Sequence, residues 1–216
     1  DASGDFNGDG INDLLIGHDR SDYSGTNSGI GYLIFGQAGS TRANIRLDTL
    51  TNGFQFVTSG EADNDVGHSV QFIGDFNGDG NNDVLIGAPQ ADGGDTDSGE
   101  AYVVFGNDGP TFNDVDLTAL SGTDGFTITT SDSSAQLGGS VSSADINGDG
   151  LTDIVIGAPE TGTLSRTNNG VAIVLYGRVA GSYSDVTLES IPVGQGFVIH
   201  GENSEDRTSH SVRGIG

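Results

Sequence analysis

Short runs of apolar residues, each bounded by glycine and polar residues, recur along the whole chain. One set reads "DLLIG", "DVLIGAP" and "DIVIGAP", and a second set reads "GYLIFG", "AYVVFG" and "AIVLYG". These runs are rich in β-branched and aromatic residues and lack polar alternation, which is typical of strands buried on both faces. The chain shows no long amphipathic helical pattern. The pattern therefore predicts an all-β protein built from short strands.

Two further kinds of segment complete each unit. The runs "GFQFVTSGE", "GFTITTSD" and "GFVIHGEN" alternate in part, as half-exposed edge strands do. Before each run, the L-x-x-[LI] spacing in "IRLDTL", "VDLTAL" and "VTLESI" predicts a single helical or 3₁₀ turn. After each run, "GHSVQFIG", "GGSVSSA" and "SHSVRGIG" predict a fourth strand. Each unit thus contains four short antiparallel strands.

An acidic nine-residue motif precedes the first strand of every unit. It reads "DFNGDGIND" at Asp5–Asp13, "DFNGDGNND" at Asp75–Asp83 and "DINGDGLTD" at Asp145–Asp153, with starts 70 residues apart both times. An interval this regular indicates one tandem array over residues 1–216, with repeats at approximately 5–74, 75–144 and 145–216. Such units bury both faces when they stack radially as blades of a β-propeller. A β-solenoid is the alternative, although its repeats are usually much shorter.

The order of these elements resembles the FG-GAP repeat of the integrin α-subunit N-terminal β-propeller and of many secreted bacterial proteins. The matching elements are Gly87–Pro89 and Gly157–Pro159 for GAP, and Val66–Gly67 and Leu137–Gly138 for a weaker FG. The first unit departs with Gly17-His18-Asp19 in place of GAP, and the last with Thr208-Ser209 in place of FG. The resemblance implies a blade whose inner strand, "SVQFI", leads through the acidic motif into the "VLIGAP" strand. It also implies Ca²⁺ binding in that loop, on the face opposite the one that integrins use for ligand.

The motif supplies the oxygen atoms that a hard divalent cation prefers. Ca²⁺ takes six to eight oxygens, and a tight loop with glycine can aim alternate side chains inward while a backbone carbonyl fills a gap. The predicted ligands are the side chains of Asp5, Asn7, Asp9, Asp13, Asp75, Asn77, Asp79, Asp83, Asp145, Asn147, Asp149 and Asp153, with the carbonyls of Ile11, Asn81 and Leu151. A glycine follows the fifth position in each copy, where we expect a positive φ. Three calcium sites are predicted.

An EF-hand loop and a plain turn are the two other interpretations of the motif. An EF-hand loop needs a bidentate acid at position 12 and flanking helices, whereas position 12 here is Ile16, Ile86 or Ile156, inside a predicted strand. The EF-hand is therefore rejected. Asp, Asn and Gly also form plain turns, but three copies of the same four-oxygen set favour the metal site.

The charge balance agrees with cation binding. The chain has 31 acidic and 7 basic residues, all seven being arginine, for a net charge of −24. Such a surface repels nucleic acid and anionic lipid and favours cations and basic partners. Three calcium ions would change the charge to −18, and at about 1 mM calcium and a dissociation constant of about 0.1 mM each site would add about 1.4 kcal/mol of stability. The calcium is thus expected to be structural.

Several function classes find no support in the sequence. Cysteine is absent, and no stretch approaches the 18 apolar residues of a membrane span, so we expect no membrane insertion. The four histidines lie in no nucleophile context, and His68 and His210 share one repeat position, which favours packing or capping. We therefore predict no catalytic site and no enzyme activity. An extracellular or cell-surface location is expected.

Ligand binding is expected on the loops opposite the calcium. These loops are His18–Ser28, Gln90–Ser98, Glu160–Asn169, Gly60–Val66, Ser131–Gln136 and Glu202–Ser209. Within them Arg20, Tyr23 and Arg166 are the candidate contact residues. The expected partner is a protein, a carbohydrate or another copy of the chain.

The two ends raise the question of blade number. Residues 1–4 are too few for the strand that should precede the first motif, and Ser211–Ile215 are predicted to form that strand with no motif after them. Closed propellers need four to eight blades. Either the chain is a piece of a longer protein, or the C-terminal strand of one copy completes the first blade of the next. Three functions stay open: an adhesion or surface module, a subunit of a filament or surface layer, and a non-catalytic part of a secreted hydrolase.

Overall fold

The structure, a computed structural model, describes residues 3–39, 44–59, 62–109, 113–179 and 182–214. Within these ranges the strands are β1 Ser3–Gly4, β2 Asp13–His18, β3 Ile30–Ile34, β4 Gly53–Val57, β5 Ser69–Gly74, β6 Asp83–Ala88, β7 Glu100–Val104, β8 Val115–Asp116, β9 Gly125–Thr129, β10 Ser140–Ala144, β11 Asp153–Ala158, β12 Val171–Leu175, β13 Val186–Thr187 and β14 Gly196–His200. The 3₁₀ turns are Leu47–Thr49, Leu117–Ala119 and Leu188–Ser190, as the connector spacing predicts. Residues 1–2, 60–61 and 215, which belong to segments considered above, lie outside the described residues.

The strands form three sheets, which we call blades 1, 2 and 3. Their strand orders are β1-β2-β3-β4-β8, β5-β6-β7-β9-β13 and β10-β11-β12-β14. In each blade the first four strands pair antiparallel, and the register repeats from blade to blade, as in Ile86↔Tyr102 of blade 2 and Ile156↔Ile173 of blade 3. The prediction of an all-β chain with tandem antiparallel blades is confirmed.

Each blade begins one strand before the acidic motif. Strand β5, which is the last strand of the first motif-to-motif unit, pairs with β6 of the next unit, and β10 pairs with β11 in the same way. The motif is therefore a hairpin between the first two strands of a blade, and short hairpins favour antiparallel pairing of the strands that they join. This arrangement is the one that the resemblance implies, with the inner strand leading through the motif.

A fifth strand, which the sequence did not predict, joins neighbouring blades. The residues just before the second and third 3₁₀ turns form β8 and β13, and each pairs parallel with the outer strand of the preceding blade. The registers are Phe56↔Val115 and Ile128↔Val186. The second and third connectors thus join their blades to the preceding blade through parallel strand pairing.

The hydrophobic core lies between adjacent blades. Between blades 1 and 2, aromatic residues such as Phe54 and Phe56 pack against Val84 and Ile86. Between blades 2 and 3, Phe126 and its neighbours pack against the β11 and β12 residues in the same way. The inner strands of the three blades also contact one another. Burial between stacked sheets is the physical reason that strands of this chain carry apolar residues on both faces.

The ends of the chain differ from the prediction. Ser3 and Gly4 do pair, opposite Leu14 and Asp13, and form a two-residue inner strand. The predicted strand at Ser211–Ile215 is wrong over its described part, because residues 211–214 form no backbone ladder with a strand. They run beside β10, where the Gly214 amide donates to Ser142 Oγ at 2.8 Å.

Candidate metal centres

Each acidic loop curls around its own side chains. In the second loop the Asp75 carboxylate accepts hydrogen bonds from the amides of Asp79 (3.0 Å) and Gly80 (2.9 Å). Asn77 Oδ1 accepts from the Asp79 amide at 2.9 Å, and Asp79 Oδ1 accepts from the Asn81 amide at 2.8 Å. The side chains at positions 1, 3 and 5 therefore turn inward along one side of the loop.

The other two loops repeat this arrangement. In both loops the amide of the glycine at position 6 donates to the carboxylate at position 1. Gly10 donates to Asp5 at 2.8 Å, and Gly150 donates to Asp145 at 3.0 Å. The position-6 glycines of the three loops have φ of +83°, +99° and +91°. The expected positive φ after the fifth position is confirmed, and glycine adopts it without the strain that a side chain would bring.

The ninth-position aspartate has a role that sequence reasoning missed. Asp83 is fully buried, and its two oxygens accept from the amides of Phe76 and Gly106, both at 2.9 Å. The equivalent carboxylates bind the equivalent amides, Phe6 and Gly36 for Asp13, and Ile146 and Gly177 for Asp153. Each one fastens its loop to the end of the third strand. The glycine that closes every "GYLIFG"-type run was the sequence signal for this clamp.

The clamp places a carboxylate in an apolar setting among other acids. The pKa of Asp83 is raised to about 7: burial is the main cause, the nearby Asp79 and Asp75 carboxylates add to the rise, and the hydrogen bonds from the Gly106 and Phe76 amides oppose it. Burial also raises the pKa of Asp13. Like charges near a buried carboxylate disfavour its ionised form, and a nearby cation would relieve that repulsion.

The loop acids have no basic partners in the described part of the chain. Its ion pairs are Arg46–Asp48, His68–Asp19 and Arg207–Glu160, and none involves a motif residue. Each loop thus holds three carboxylates and one amide oxygen without a protein counter-charge. This donor set fits a hard cation such as Ca²⁺ in number and chemical kind.

The described conformation does not gather the acids of a loop around one point. Across the described ranges, which include all three loops, no three His, Cys, Asp or Glu side chains are placed so that they could share an ion. The loops bring positions 1, 3 and 5 to one side, while the ninth acid clamps the third strand. Calcium binding, including the roles given to the carbonyls of Ile11, Asn81 and Leu151, stays a prediction from the donor set.

The loops at the opposite end of the blades lie together in pairs. The amides of Val66, Leu137 and Thr208 donate to the carbonyls of Ser28 (3.1 Å), Ser98 (3.0 Å) and Asn169 (3.1 Å), respectively. Each loop after a blade's second strand is thereby joined to the loop that leads into the following blade. All six segments predicted for ligand binding, in their described parts, therefore share one face.

A cavity of about 270 Å³ opens on this face. Residues from all three blades line it, among them Arg20, Asp65, Gln90 and His210. His68 also lines it and lies 3.4 Å from an Asp19 oxygen. Tyr23 is exposed on the first loop, and Arg166 lines a separate cavity of about 510 Å³.

The FG-GAP repeat model matches residues 2–34, 66–104 and 137–175. Together these segments make up more than half of the 216 residues. The chain belongs to the FG-GAP repeat family. The second and third FG-GAP matches begin just before the inner strand and end with the third strand, so the family unit starts with the inner strand of a blade rather than with the acidic motif.

Relatives of the FG-GAP chain include two kinds of protein. Phosphatidylinositol-glycan-specific phospholipase D of Bos taurus is 31% identical over 221 residues, 96% of this chain and 25% of that protein. The Homo sapiens protein of the same name is 28% identical over 99% of this chain and 24% of its own length. Integrin alpha-8 of Mus musculus is 26% identical over 97% of this chain and 18% of its own length. The FG-GAP chain spans about a quarter or less of these three relatives. In the described residues no helix is long and apolar enough to cross a membrane.

Proposed function

We propose that the chain is a calcium-stabilised, non-catalytic FG-GAP β-propeller module that acts outside the cell by binding a protein or a carbohydrate. The observation that carries the calcium part is the acidic hairpin, repeated at one position in three blades, with three carboxylates and no basic partner in the described chain. The side chains at positions 1, 3, 5 and 9 would hold the ion. Calcium supplies positive charge that offsets repulsion among these carboxylates.

The loop already turns the side chains at positions 1, 3 and 5 to one side, and a bound cation would draw them closer to the ninth acid. In the second loop, Asp75 and Asn77 receive backbone amides from the loop itself, which keeps their oxygens turned inward. Asp75 Oδ1 accepts two amides, from Gly78 and Asp79, whereas its Oδ2 accepts the Gly80 amide and keeps a second lone pair for a cation. The loop also joins the two innermost strands of its blade, so locking it would lock that edge of the sheet.

The ligand part rests on the face at the opposite end of the blades. Loops from all three blades converge there around a cavity, and loops held on rigid sheets are the usual location of binding residues. Arg20, Tyr23 and Arg166 are the proposed contacts. With a net charge of −24, basic protein surfaces are favoured over nucleic acid or anionic lipid.

A second candidate is an accessory part of a larger hydrolase. A relative that matches 96% of this chain is named a phospholipase D, and the match covers 25% of that protein. In this case too the acids of the motif would have a structural role in their hairpins. The module would hold or present the substrate of another domain. An assay of the full-length protein against phospholipid and glycan substrates, with and without this module, separates the two candidates.

Calcium binding is tested by titrating the metal-free protein and counting ions per chain by calorimetry. We expect three, and at a calcium concentration ten times the dissociation constant each site should add about 1.4 kcal/mol to the free energy of unfolding. Asp9→Asn, Asp79→Asn and Asp149→Asn should each remove one ion per chain. Asp97→Asn is the matched control, because Asp97 is an exposed acid on the opposite face with φ of +50°, which asparagine tolerates.

A chain that takes up no calcium and unfolds at the same temperature in calcium and in chelator would contradict the proposal. Magnesium distinguishes the ion, since it demands near-octahedral geometry and should stabilise the protein less than calcium. Ligand binding is tested on a panel of glycans and basic proteins, where Arg20→Ala and Tyr23→Ala should weaken any interaction. Equal binding by these variants would exclude the proposed face.

A further inference from the structure

The three acidic loops carry an Asn–Gly pair at the same place. We call the hairpins at Asp5–Asp13, Asp75–Asp83 and Asp145–Asp153 loops 1, 2 and 3. Loops 1 and 2 both begin with "DFNGDG", and loop 3 begins with "DINGDG". Asparagine before glycine is prone to deamidation, because the glycine nitrogen can reach the side-chain carbonyl carbon and no Cβ obstructs it. Since loops 1 and 2 share this sequence, any difference between them comes from the fold.

The glycine amide of this pair is held in loops 2 and 3. Gly78 donates to Asp75 Oδ1 and Gly148 donates to Asp145 Oδ1, both at 2.7 Å. A carboxylate acceptor makes this a charge-assisted hydrogen bond, which is stronger than one between neutral groups. The nitrogen must leave that bond before it can turn toward the asparagine side chain.

The corresponding amide of loop 1 is not held in this way. There the Asp5 carboxylate accepts from the amides of Asp9 (3.1 Å) and Gly10 (2.8 Å). Within the described ranges, the Gly8 amide donates to neither Asp5 oxygen. Gly8 is also exposed, so its amide can turn toward Asn7 without first leaving a carboxylate.

The asparagine side chain is held less closely in loop 1 as well. Asn7 Oδ1 accepts from the Asp9 amide at 3.2 Å, and Asn7 Nδ2 donates to Asp9 Oδ2 at 3.1 Å. The same two distances are 2.9 and 2.8 Å at Asn77, and 2.8 and 2.9 Å at Asn147. Hydrogen bonds weaken as they lengthen, so the Asn7 side chain rotates more easily.

The contrast between loops 1 and 2 does not depend on the ends of the sequence. A Cβ added to Gly8 would collide with the Asp108 carboxylate of blade 2, and one added to Gly78 would collide with the Val179 side chain of blade 3. Each of these glycines therefore packs against a following blade that is present in the chain.

Two other Asn–Gly pairs occur in the chain, and both asparagines are tied to a neighbouring segment. Asn52 Nδ2 donates to the Phe35 carbonyl at 2.8 Å, and Asn169 Nδ2 donates to the Gly201 carbonyl at 3.0 Å. Their side chains are fixed by the pairing of strands and loops, so we expect them to react slowly.

We propose that Asn7 is a deamidation site that reacts before Asn77 and Asn147. The Gly8 nitrogen bonds to Asn7 Cγ, the bond from Cγ to Nδ2 breaks, and ammonia leaves with the proton that Gly8 lost. One water molecule then opens the cyclic imide to aspartate or isoaspartate, so asparagine and water give an acid and ammonia. Isoaspartate adds one carbon to the main chain, which alters the hairpin of blade 1 irreversibly.

This inference goes beyond the proposed function and is tested on the metal-free chain. Calcium adds a separate comparison, since the proposed sites would hold the oxygens of Asn7, Asn77 and Asn147 and slow all three reactions. Rates that calcium leaves unchanged would count against calcium binding, and they would not alter the order of the three asparagines in chelator.

The test is peptide mass mapping of the folded chain during storage in chelator at mildly alkaline pH. Asn7 should gain the mass of deamidation about tenfold faster than Asn77, because releasing Gly78 from Asp75 costs a charge-assisted hydrogen bond. In urea the two should react at the same rate, because their local sequences are identical. Equal rates in the folded chain would overturn the proposal.

Two variants test the cause, and each serves as the control for the other. Asp75→Ala frees the Gly78 amide and should speed the reaction of Asn77 but not that of Asn147. Asp145→Ala should do the reverse. Asp75→Asn keeps an oxygen that can accept the Gly78 amide, so it should stay slower than Asp75→Ala. Circular dichroism confirms that each variant is folded. If neither alanine variant speeds the reaction in its own loop, the glycine hydrogen bond is not what protects the asparagine, and the proposal fails.

Discussion

Tyr183 anchors the junction between blades 2 and 3, and its replacement is the sharpest test of how the blades are held together. The ring stacks on Phe126 with centroids 5.2 Å apart and lies 5.1 Å from the Phe105 ring and 5.6 Å from the Phe76 ring. The Arg178 guanidinium lies 4.1 Å above it. Tyr183 belongs to the connector of blade 3, whereas the three phenylalanines belong to blade 2.

The expected magnitude follows from this burial. Removing a buried aromatic ring costs about 3–5 kcal/mol of stability, because both the transfer energy and the cavity count against the folded state. Tyr183→Ala should therefore lower the free energy of unfolding by about 3–5 kcal/mol. Tyr183→Phe keeps the ring and loses the hydroxyl that donates to the Arg178 carbonyl, so it should cost about 1 kcal/mol.

The assay is urea unfolding at constant calcium, followed by circular dichroism. Tyr23→Ala is the control, because Tyr23 is exposed and its removal should change stability by less than about 0.5 kcal/mol. If Tyr183→Ala is as stable as Tyr23→Ala, the aromatic cluster does not hold the two blades together. If Tyr183→Phe is as damaging as Tyr183→Ala, the hydroxyl rather than ring packing is decisive.

Three other changes have defined outcomes. Burial raises the pKa of Asp65 above its ordinary 3.8, so the associated stability is present below that value and lost as pH rises through the folded pKa; Asp65→Asn should raise the melting temperature at pH 8 and change it little at pH 3. Thr118→Glu should stabilise by about 1 kcal/mol in urea unfolding, because the buried Thr58 hydroxyl has no hydrogen-bond partner among the described residues and the new carboxylate would accept from it, as Glu189 accepts from the equivalent Thr130. Gly80→Ala should destabilise by about 1–2 kcal/mol through its φ of +99° alone, since no atom would crowd the new Cβ; an unchanged urea midpoint would contradict this.

The repeat, the four antiparallel strands of a blade and the blade architecture were predictable from the sequence. The acidic motif recurs at one interval, and apolar runs such as Val84–Ile86 lack alternation because stacked blades bury both faces. The positive φ at Gly10, Gly80 and Gly150 was also predictable, because the conformation of a tight loop depends on residues close in the chain. The strands, the repeat and the loop conformation depend on local residue pattern and on the repeat interval, so a single sequence is enough to predict them.

The candidate site divides in the same way. The inward side chains at positions 1, 3 and 5 follow from bonds within one loop, and the sequence predicts them. The clamp made by Asp83 joins amides at Phe76 and at Gly106, and the second of these lies on a different hairpin. No local pattern specifies that contact, because it exists only once the third strand has paired.

What the sequence alone determined was the composition and order of each blade, since these depend on the spacing of side chains along a strand or turn. What only the tertiary structure decided was how blades join: the parallel strands β8 and β13, the aromatic cluster around Tyr183, and the open edge at β14. These contacts join residues far apart in the chain, and their stability comes from burial between sheets. For that reason Phe126 and Phe197, which occupy the same position of the predicted edge strand, differ in burial in the fold.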